Sequence, residues 1–414
     1  MTIDTLNRTI LPANEATAND THVFPAVAGT SVQPEPEAPH DEDDFPPDDD
    51  GKPMIDMTKP LHRIVDRSVR LLAEEPLVFQ KHAELVRVVI EEDGRVKPRS
   101  LRNSYVRYLL SQRANWYRNG EPVHPPEHVP KIIVERSAWE RIPVWRAVTP
   151  FPAMDRDGHL PSEPGYDPRT RTYFTGQANV TVLDEPSQDD ARLAVATLRD
   201  IVSDFPFANK ESSEHFAAWV AGLLTPLARY AHDGNAPIAV VQANGPRVGK
   251  TTLVQLISEI ACGTASPVIT FTRNEDETRK RILSFLRVAR SMVLVDNVIG
   301  QFGGQNVNAL TTSRAFEDRV LGKSVIIEAM NDTSWFVTAN NIQLAPDTAE
   351  RCINVRLQSD DAKPHLRTGF KYPDLLGEVA RNRDQLLSAA LTILKTYIVA
   401  GKPDQGLSSW GGIR

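Results

Sequence analysis

PIAVVQANGPRVGKTTL, residues 237–253, is the stretch from which the rest of the chain can be read. It opens on a short apolar run, Ile238, Ala239, Val240 and Val241, suited to a buried strand. A loop follows, Asn244-Gly245-Pro246-Arg247-Val248, and then Gly249-Lys250-Thr251-Thr252. Apolar residues then recur at helical spacing: Leu253, Leu256, Ile257 and Ile260. Strand, loop and helix in that order form a phosphate-binding loop. A β,γ-triphosphate needs many donors at close range. Backbone N–H groups of the loop and of the helix N-terminus supply them, and Gly249 lets the backbone approach. Lys250 can reach the β- and γ-phosphates, and the Thr251 hydroxyl can ligate Mg²⁺. Asn244 to Thr252 is thus the expected nucleotide-binding segment, with ATP and Mg²⁺ as ligands. The pattern G-x-x-x-x-G-K-[ST] asks for glycine at 244, where this chain has asparagine. Asparagine tolerates left-handed backbone angles better than most residues, so the turn is expected to survive.

A second signature follows in Ser291-Met292-Val293-Leu294-Val295-Asp296-Asn297, an apolar strand ending in a carboxylate. A carboxylate at such a strand end can hold the Mg²⁺ shell. Alone the pattern is weak. Placed 46 residues after Lys250 in a region of alternating strand and helix signals, it gains specificity. The next residue would ordinarily be an acid that activates water, and here it is Asn297. An amide cannot take a proton. Either Asn297 only positions water, another carboxylate such as Glu277 serves, or hydrolysis is slow. Trp335 to Ala339 reads as a further strand with Asn340 at its tip, where an amide can sense the γ-phosphate. A plain Asn-rich turn is the competing reading. Arg351 comes 11 residues later, before the strand Cys352 to Leu357. Asp318 to Glu328 reads as a hairpin with Gly322-Lys323 at its tip.

The 414 residues suggest two or three domains and carry a net charge of −7. That charge is unevenly placed. Residues 1–55 hold twelve Asp/Glu against two Lys/Arg, and the remainder 42 acidic against 45 basic residues. The body is slightly basic, compatible with nucleic acid on a local surface. Cys262 and Cys352 fit no CxxC pattern, so a reducing cytoplasm is expected. No apolar run reaches membrane-spanning length, and the N-terminus lacks a basic-then-apolar signal.

In chain order, residues 1–55 are expected to be a disordered acidic tail. Residues 56–130 read as a small, mostly helical module with a strand at Leu85 to Glu91 and a helix over Arg99 to Tyr117. Lys97, Arg99, Arg102, Arg107, Arg113 and Arg118 gather there, as a phosphate-contacting face or as the solvated side of an amphipathic helix. His124 and His128 lie among prolines and read as loop. Residues 131–232 form a turn-rich segment followed by two helices, Ala191 to Val202 and Ser213 to Tyr230. Residues 233–360 are the expected ATPase core. Residues 361–414 hold one C-terminal helix, about Tyr372 to Val399, after which the chain is expected to be truncated or to need a partner.

The order of phosphate-binding loop, strand ending in Asp, hairpin with a tip lysine, strand ending in Thr-x-Asn, then arginine 11 residues on, resembles superfamily 3 helicases of the AAA+ class. It looks most like the helicase half of phage and plasmid primase–helicases. The resemblance covers roughly 130–405 and is specific within 240–357. It implies an α/β fold: a P-loop NTPase with a parallel-sheet core, beside the mostly helical N-terminal module. Lys250 and Thr251 would bind phosphate and Mg²⁺, Asp296 would be the Mg²⁺-linked acid, and Asn340 the sensor. Arg351 would be an arginine finger completing the neighbouring subunit's site, which implies a homo-oligomeric ring, a hexamer. Lys323, helped by Arg319, would grip single-stranded DNA at a replication fork. No primase module precedes this region, so a separate primase partner is implied.

The sequence reading is therefore an ATP-dependent DNA helicase or translocating ATPase of a mobile element. Its rivals are an ATP-binding switch or loader with weak hydrolysis, which Asn297 favours, and an inactive remnant. A metabolic P-loop kinase would need neither the lysine-tipped hairpin nor the trans arginine.

Overall fold

The computed structural model describes residues 51–404 and 406, apart from 82, 91–95, 272, 273, 289, 320–325 and 362. Residues 1–50 of the expected tail, and Lys323, lie outside the described residues; the tail expected to run to residue 55 is shorter, since Met54 and Ile55 belong to a strand and Ile55 is fully buried. Contacts divide the chain into two compact units. Among the described residues, one takes 51–90 and Pro98–Pro143, and the other is built mainly from 144–404.

In the first unit, β1 (Met54–Asp56) leads into α1 (Leu61–Ala73) and the strands β2 (Val78–Lys81), β3 (Glu84–Ile90) and β4 (Val96–Ser100). Helix α2 (Asn103–Arg113), β5 (Asn115–Arg118), β6 (Glu121–Val123) and α3 (His128–Glu135) follow. Two small sheets form, in the orders β2-β3-β4 and β1-β5-β6. Ile64, Val65, Val69 and Leu72 of α1 are buried with Val106 and Leu110 of α2, as their helical spacing dictates. The indole N–H of Trp116 donates to the Leu110 carbonyl at 3.1 Å, and that of Trp139 to Ile133 at 2.7 Å. Both rings are thereby buried without an orphan donor.

The helix expected over Arg99 to Tyr117 is shorter than the sequence suggested, and a strand flanks it on each side. Pro98 holds its neighbourhood extended, so Arg99 belongs to β4. Trp116 and Tyr117 favour a strand, and Asn119-Gly120 turns it back on β6. Both turn residues have positive φ, +53° and +84°, the signature of a two-residue hairpin loop. His128 opens α3 rather than lying in a loop.

The second unit begins with β7 (Ala147–Thr149), β8 (Gly165–Asp167) and β9 (Thr172–Phe174), then α4 (Gln188–Ile201) and α5 (Glu214–Ala228). The central part runs β10 (Ile238–Ala243), α6 (Lys250–Cys262), β11 (Val268–Ile269), α7 (Glu275–Val288) and β12 (Met292–Val298). After it come β13 (Gln301–Phe302), α8 (Gln305–Thr312), β14 (Ala315–Arg319), β15 (Ile326–Met330), β16 (Ser334–Asn340), β17 (Gln343–Leu344), α9 (Pro346–Ala349) and β18 (Cys352–Leu357). The chain ends on α10 (Leu375–Arg381) and α11 (Arg383–Val399). Five parallel strands make the sheet, in the order β11-β12-β16-β10-β18. The unit is therefore mixed α/β around a parallel sheet. Ile238 to Val241 are all buried, as expected of a strand covered on both faces.

Leu253, Leu256, Ile257 and Ile260 fix α6 against the sheet. Each is at most 1 % exposed, and such burial contributes about 1.5–3 kcal/mol per side chain. Trp219 of α5 donates its indole N–H to the Leu253 carbonyl at 3.1 Å. The C-terminal helix expected as one piece is two, broken at Asn382. The Asn382 amide donates to the Glu378 carbonyl and carboxylate, at 3.0 and 2.6 Å, and so ends α10.

Candidate nucleotide-binding site

The tips of β10, β12 and β16 lie at the carboxyl edge of the sheet, where open α/β sheets bind ligands. The loop after β10 turns sharply before α6. Gly249 precedes the helix at φ +100°, and Arg247 stands at φ +60°. The left-handed backbone therefore falls at Arg247 and Gly249, not at Asn244. Gly249 also faces Phe205, whose ring would lie 3.0 Å from an added Cβ. Conformation and space both ask for glycine there.

Asn244 has another task. Its amide donates to the Ser359 carbonyl at 2.8 Å, and its side-chain oxygen accepts from the Ser359 N–H at 3.1 Å. The Asn341 amide donates to the Asn244 carbonyl at 3.3 Å. The entry of the loop is thus tied to the segment after β18 and to the tip of β16. Gly245, Pro246 and Arg247 remain open at the loop surface, and Val248 is buried beneath them.

Lys250 opens α6 and is only 8 % exposed. Its Nζ donates to Asn340 Oδ1 at 2.6 Å and to the Gly245 carbonyl at 3.1 Å. Burial lowers its pKa, and the attraction of Asp296 opposes that shift. Thr251, one residue on, donates its hydroxyl to Asp296 Oδ1 at 3.1 Å. Four expected site residues, Lys250, Thr251, Asp296 and Asn340, are therefore brought together. Thr252 follows, half-buried on the helix.

Asp296 is aimed by a break in strand pairing. The β12–β16 register shifts between Val295 and Val298, and Asn297 takes φ +56°. Such bulges re-aim side chains next to active sites. Thr338 of β16 holds the bulge. Its hydroxyl donates to Asp296 Oδ1 and accepts the Asn297 N–H at 2.9 Å. Sequence reasoning assigned Thr338 no role. Its position two residues before Asn340 was the available signal.

Thr251 and Asp296 suit Mg²⁺. Two oxygens 3.1 Å apart match neighbouring corners of an octahedral shell with metal–oxygen distances of about 2.0–2.1 Å. Among the described residues no group of three His, Cys, Asp or Glu can hold a metal alone, so phosphate and water oxygens would complete the shell. Glu277 is a poor candidate base: it accepts from Lys280 at 2.8 Å, and that hydrogen bond lowers its pKa.

Arg351 stands apart from this group. The Ile238 N–H donates to the Arg351 carbonyl at 3.3 Å, and Cys352 pairs with Ile238 at the start of β10. Ala243 pairs with Leu357 at the other end. At about 3.3 Å per residue, Arg351 sits roughly a strand length from the loop of its own chain. Arg319 ends β14, which pairs antiparallel with β15 as the expected hairpin requires. The tip carrying Lys323, and the Arg319 side chain, lie outside the described residues.

No family model and no curated protein matches the chain. Among solved structures, the apo A form of the NrS-1 C-terminal region is similar over 81 % of this chain and 74 % of its own. The identity is 13 % and the TM-score 0.41. A second apo structure of that region, 305–718, covers 82 % and 75 % at 12 % identity and a TM-score of 0.36. The X-ray structure of JCV helicase covers 50 % and 60 % at 14 % identity and 0.26. The functional reading rests on the loop and its side chains rather than on these likenesses. Among the described residues, no helix is long and apolar enough to cross a membrane.

Proposed function

We propose that the chain is an ATP-dependent DNA helicase or DNA-translocating ATPase of a phage, plasmid or integrated element. The observation that carries this reading is the convergence of Lys250, Thr251, Asp296 and Asn340 at one edge of a parallel sheet. Lys250 Nζ donates to the Asn340 amide oxygen and the Gly245 carbonyl. A triphosphate in the loop offers charged oxygens, which bind an ammonium more strongly. Lys250 then turns to the β- and γ-phosphates, and Asn340 is freed to orient water. In hydrolysis the water oxygen bonds to the γ-phosphorus as the γ-phosphorus–oxygen bond to the β-phosphate breaks, and the water's proton passes to a γ-phosphate oxygen, leaving ADP and phosphate. Thr251 and Asp296 would hold Mg²⁺, which neutralises charge on the phosphate oxygens.

Arg351 lies far from its own loop, so its place in this reaction is the site of a neighbouring subunit in a ring, a hexamer. Lys323 and Arg319 would grip single-stranded DNA at the fork, and a separate primase would supply primers in the same cytoplasm. A second reading, an ATP-binding switch or loader with weak hydrolysis, is favoured by one observation. Asn297 stands where an acid would take the proton, and Glu277 is engaged by Lys280.

Steady-state ATP hydrolysis with and without single-stranded DNA separates the two. The translocase gives turnover that DNA stimulates and that Lys250→Ala abolishes. ATP binding without turnover, with or without DNA, rejects the motor and leaves the switch.

A further inference from the structure

The first unit carries its own basic site. A cleft of about 390 Å³ opens among β3, β4 and the start of α2, lined by Arg87, Arg99, Ser100, Arg102, Ser104 and Tyr105. Among the described residues, no carboxylate pairs with Arg87, Arg99 or Arg102. Glu84, on the strand beside β4, accepts the Ser100 hydroxyl at 2.9 Å. The other arginines of α2 are already engaged. Arg107 donates to the Pro125 carbonyl at 2.6 Å and approaches Glu127 at 3.4 Å. Arg113 meets Glu75 at 2.5 Å, which raises its pKa. The structure thus divides the basic residues that the sequence placed together.

Aromatic rings stand beside the uncommitted arginines. The Arg87 guanidinium lies 4.0 Å from the Tyr105 ring centroid. Tyr105 and Tyr108 are 5.7 Å apart, and Tyr108 is 51 % exposed. Residues 51–143 carry 17 Lys/Arg against 12 Asp/Glu. Three arginines line one cleft, a lining that suits an anion. A planar fork matches phosphate oxygens two at a time. An exposed ring offers a face for an unstacked base, which a duplex does not present.

We propose that this cleft binds the phosphodiester backbone of a single-stranded nucleic acid, with Arg87, Arg99 and Arg102 on phosphate oxygens and a base stacked on Tyr108. The site is distinct from the hairpin lysine and does not depend on ATP turnover.

The test is fluorescence anisotropy of a labelled single-stranded oligonucleotide on the full chain, without nucleotide, across a salt series. Arg99→Gln combined with Arg102→Gln is expected to weaken binding about tenfold and to reduce the salt slope by about 1.4, roughly 0.7 per lost phosphate contact. Tyr108→Ala weakens binding and leaves the slope unchanged. Lys131→Gln, an exposed charge on α3, changes neither. Lys250→Ala keeps this binding, so failure here is separable from failure of the ATPase reading. Wild-type affinity in the double arginine variant overturns the proposal. So does inorganic phosphate or a mononucleotide that binds with the same arginine dependence as tightly as the strand, which would mark a small-anion pocket. Should the double variant fail to fold, photocrosslinking of a bromouracil strand to the unaltered chain decides. Adducts at Tyr105 or Tyr108 support the site, and adducts confined to other residues overturn it.

Discussion

Thr338 joins two strands through one oxygen. Its hydroxyl donates to Asp296 and accepts the Asn297 N–H, so it fixes both the carboxylate and the left-handed residue beside it. Replacement by valine keeps the shape and removes both bonds. On the proposed reading Asp296 would be linked to Mg²⁺, and a hydrogen-bond partner to such a carboxylate is worth about 10–100-fold in activity. Thr338→Val is therefore expected to lower ATP turnover by about that factor, while Thr338→Ser retains most of it. Unchanged turnover in the valine variant, measured beside its thermal unfolding, would reject the positioning role. Of the residues at this site, the loop glycine and lysine were legible from the motif alone. The task of Asn244 was not, because its partner Ser359 is 115 residues away.

At the level of elements, the sheet is locked at its opposite edge by a buried ion cluster. Arg146 reaches both oxygens of Asp332, at 3.2 and 2.7 Å, from just before β7. Arg229, after α5 and 1 % exposed, approaches Asp332 at 3.3 Å and donates to the Asn331 carbonyl at 2.6 Å. Burial raises the Asp332 pKa, but the Arg146 bond and the surrounding guanidiniums outweigh it and hold it below the usual carboxylate value. Removing the carboxylate leaves a buried cation, Arg229, and a half-buried one, Arg146, without the partner they share. Asp332→Ala is expected to cost about 3–5 kcal/mol, read as a lower denaturant midpoint. A loss under about 1 kcal/mol would show that the arginines find other partners. Elements with a clean local pattern, such as β3, α6 and β18, were legible in the sequence. The α2 region was not, because the run of basic residues continues without a break from β4 through α2 into β5. The turn at Asn119-Gly120 was the overlooked signal.

For the whole molecule, the issue is whether one chain completes its own site. Parallel register puts Arg351 at the start of β18 and the loop at the end of β10. If Arg351 acts on a neighbour, Lys250→Ala and Arg351→Ala chains are each inactive alone. Mixed together they are expected to recover part of the turnover, since some interfaces then pair an intact loop with an intact arginine. Absence of recovery in mixed assemblies would reject action of Arg351 on a neighbour. An arginine finger contributes about 10³–10⁵ in rate, so even a minority of mixed interfaces is measurable.

By itself the sequence determined what depends on neighbours along the chain. The apolar run of β10, the glycine before Lys250, the apolar run that leads into Asp296 and the tip amide Asn340 are all local patterns of burial and backbone freedom; β12 itself continues past Asp296 to Val298, because the bulge lets pairing resume. Tertiary structure alone decided which of these side chains meet. Strand order put β16 between β10 and β12, the bulge at Asp296 aimed its carboxylate at Thr251, and Thr338 secured it. It also decided which arginines of the first unit are paired and which line an open cleft. The physical reason is range. Backbone preference and hydrophobic period act over a few residues, whereas hydrogen bonds and ion pairs across a sheet join groups that only the completed packing brings within 3 Å or so.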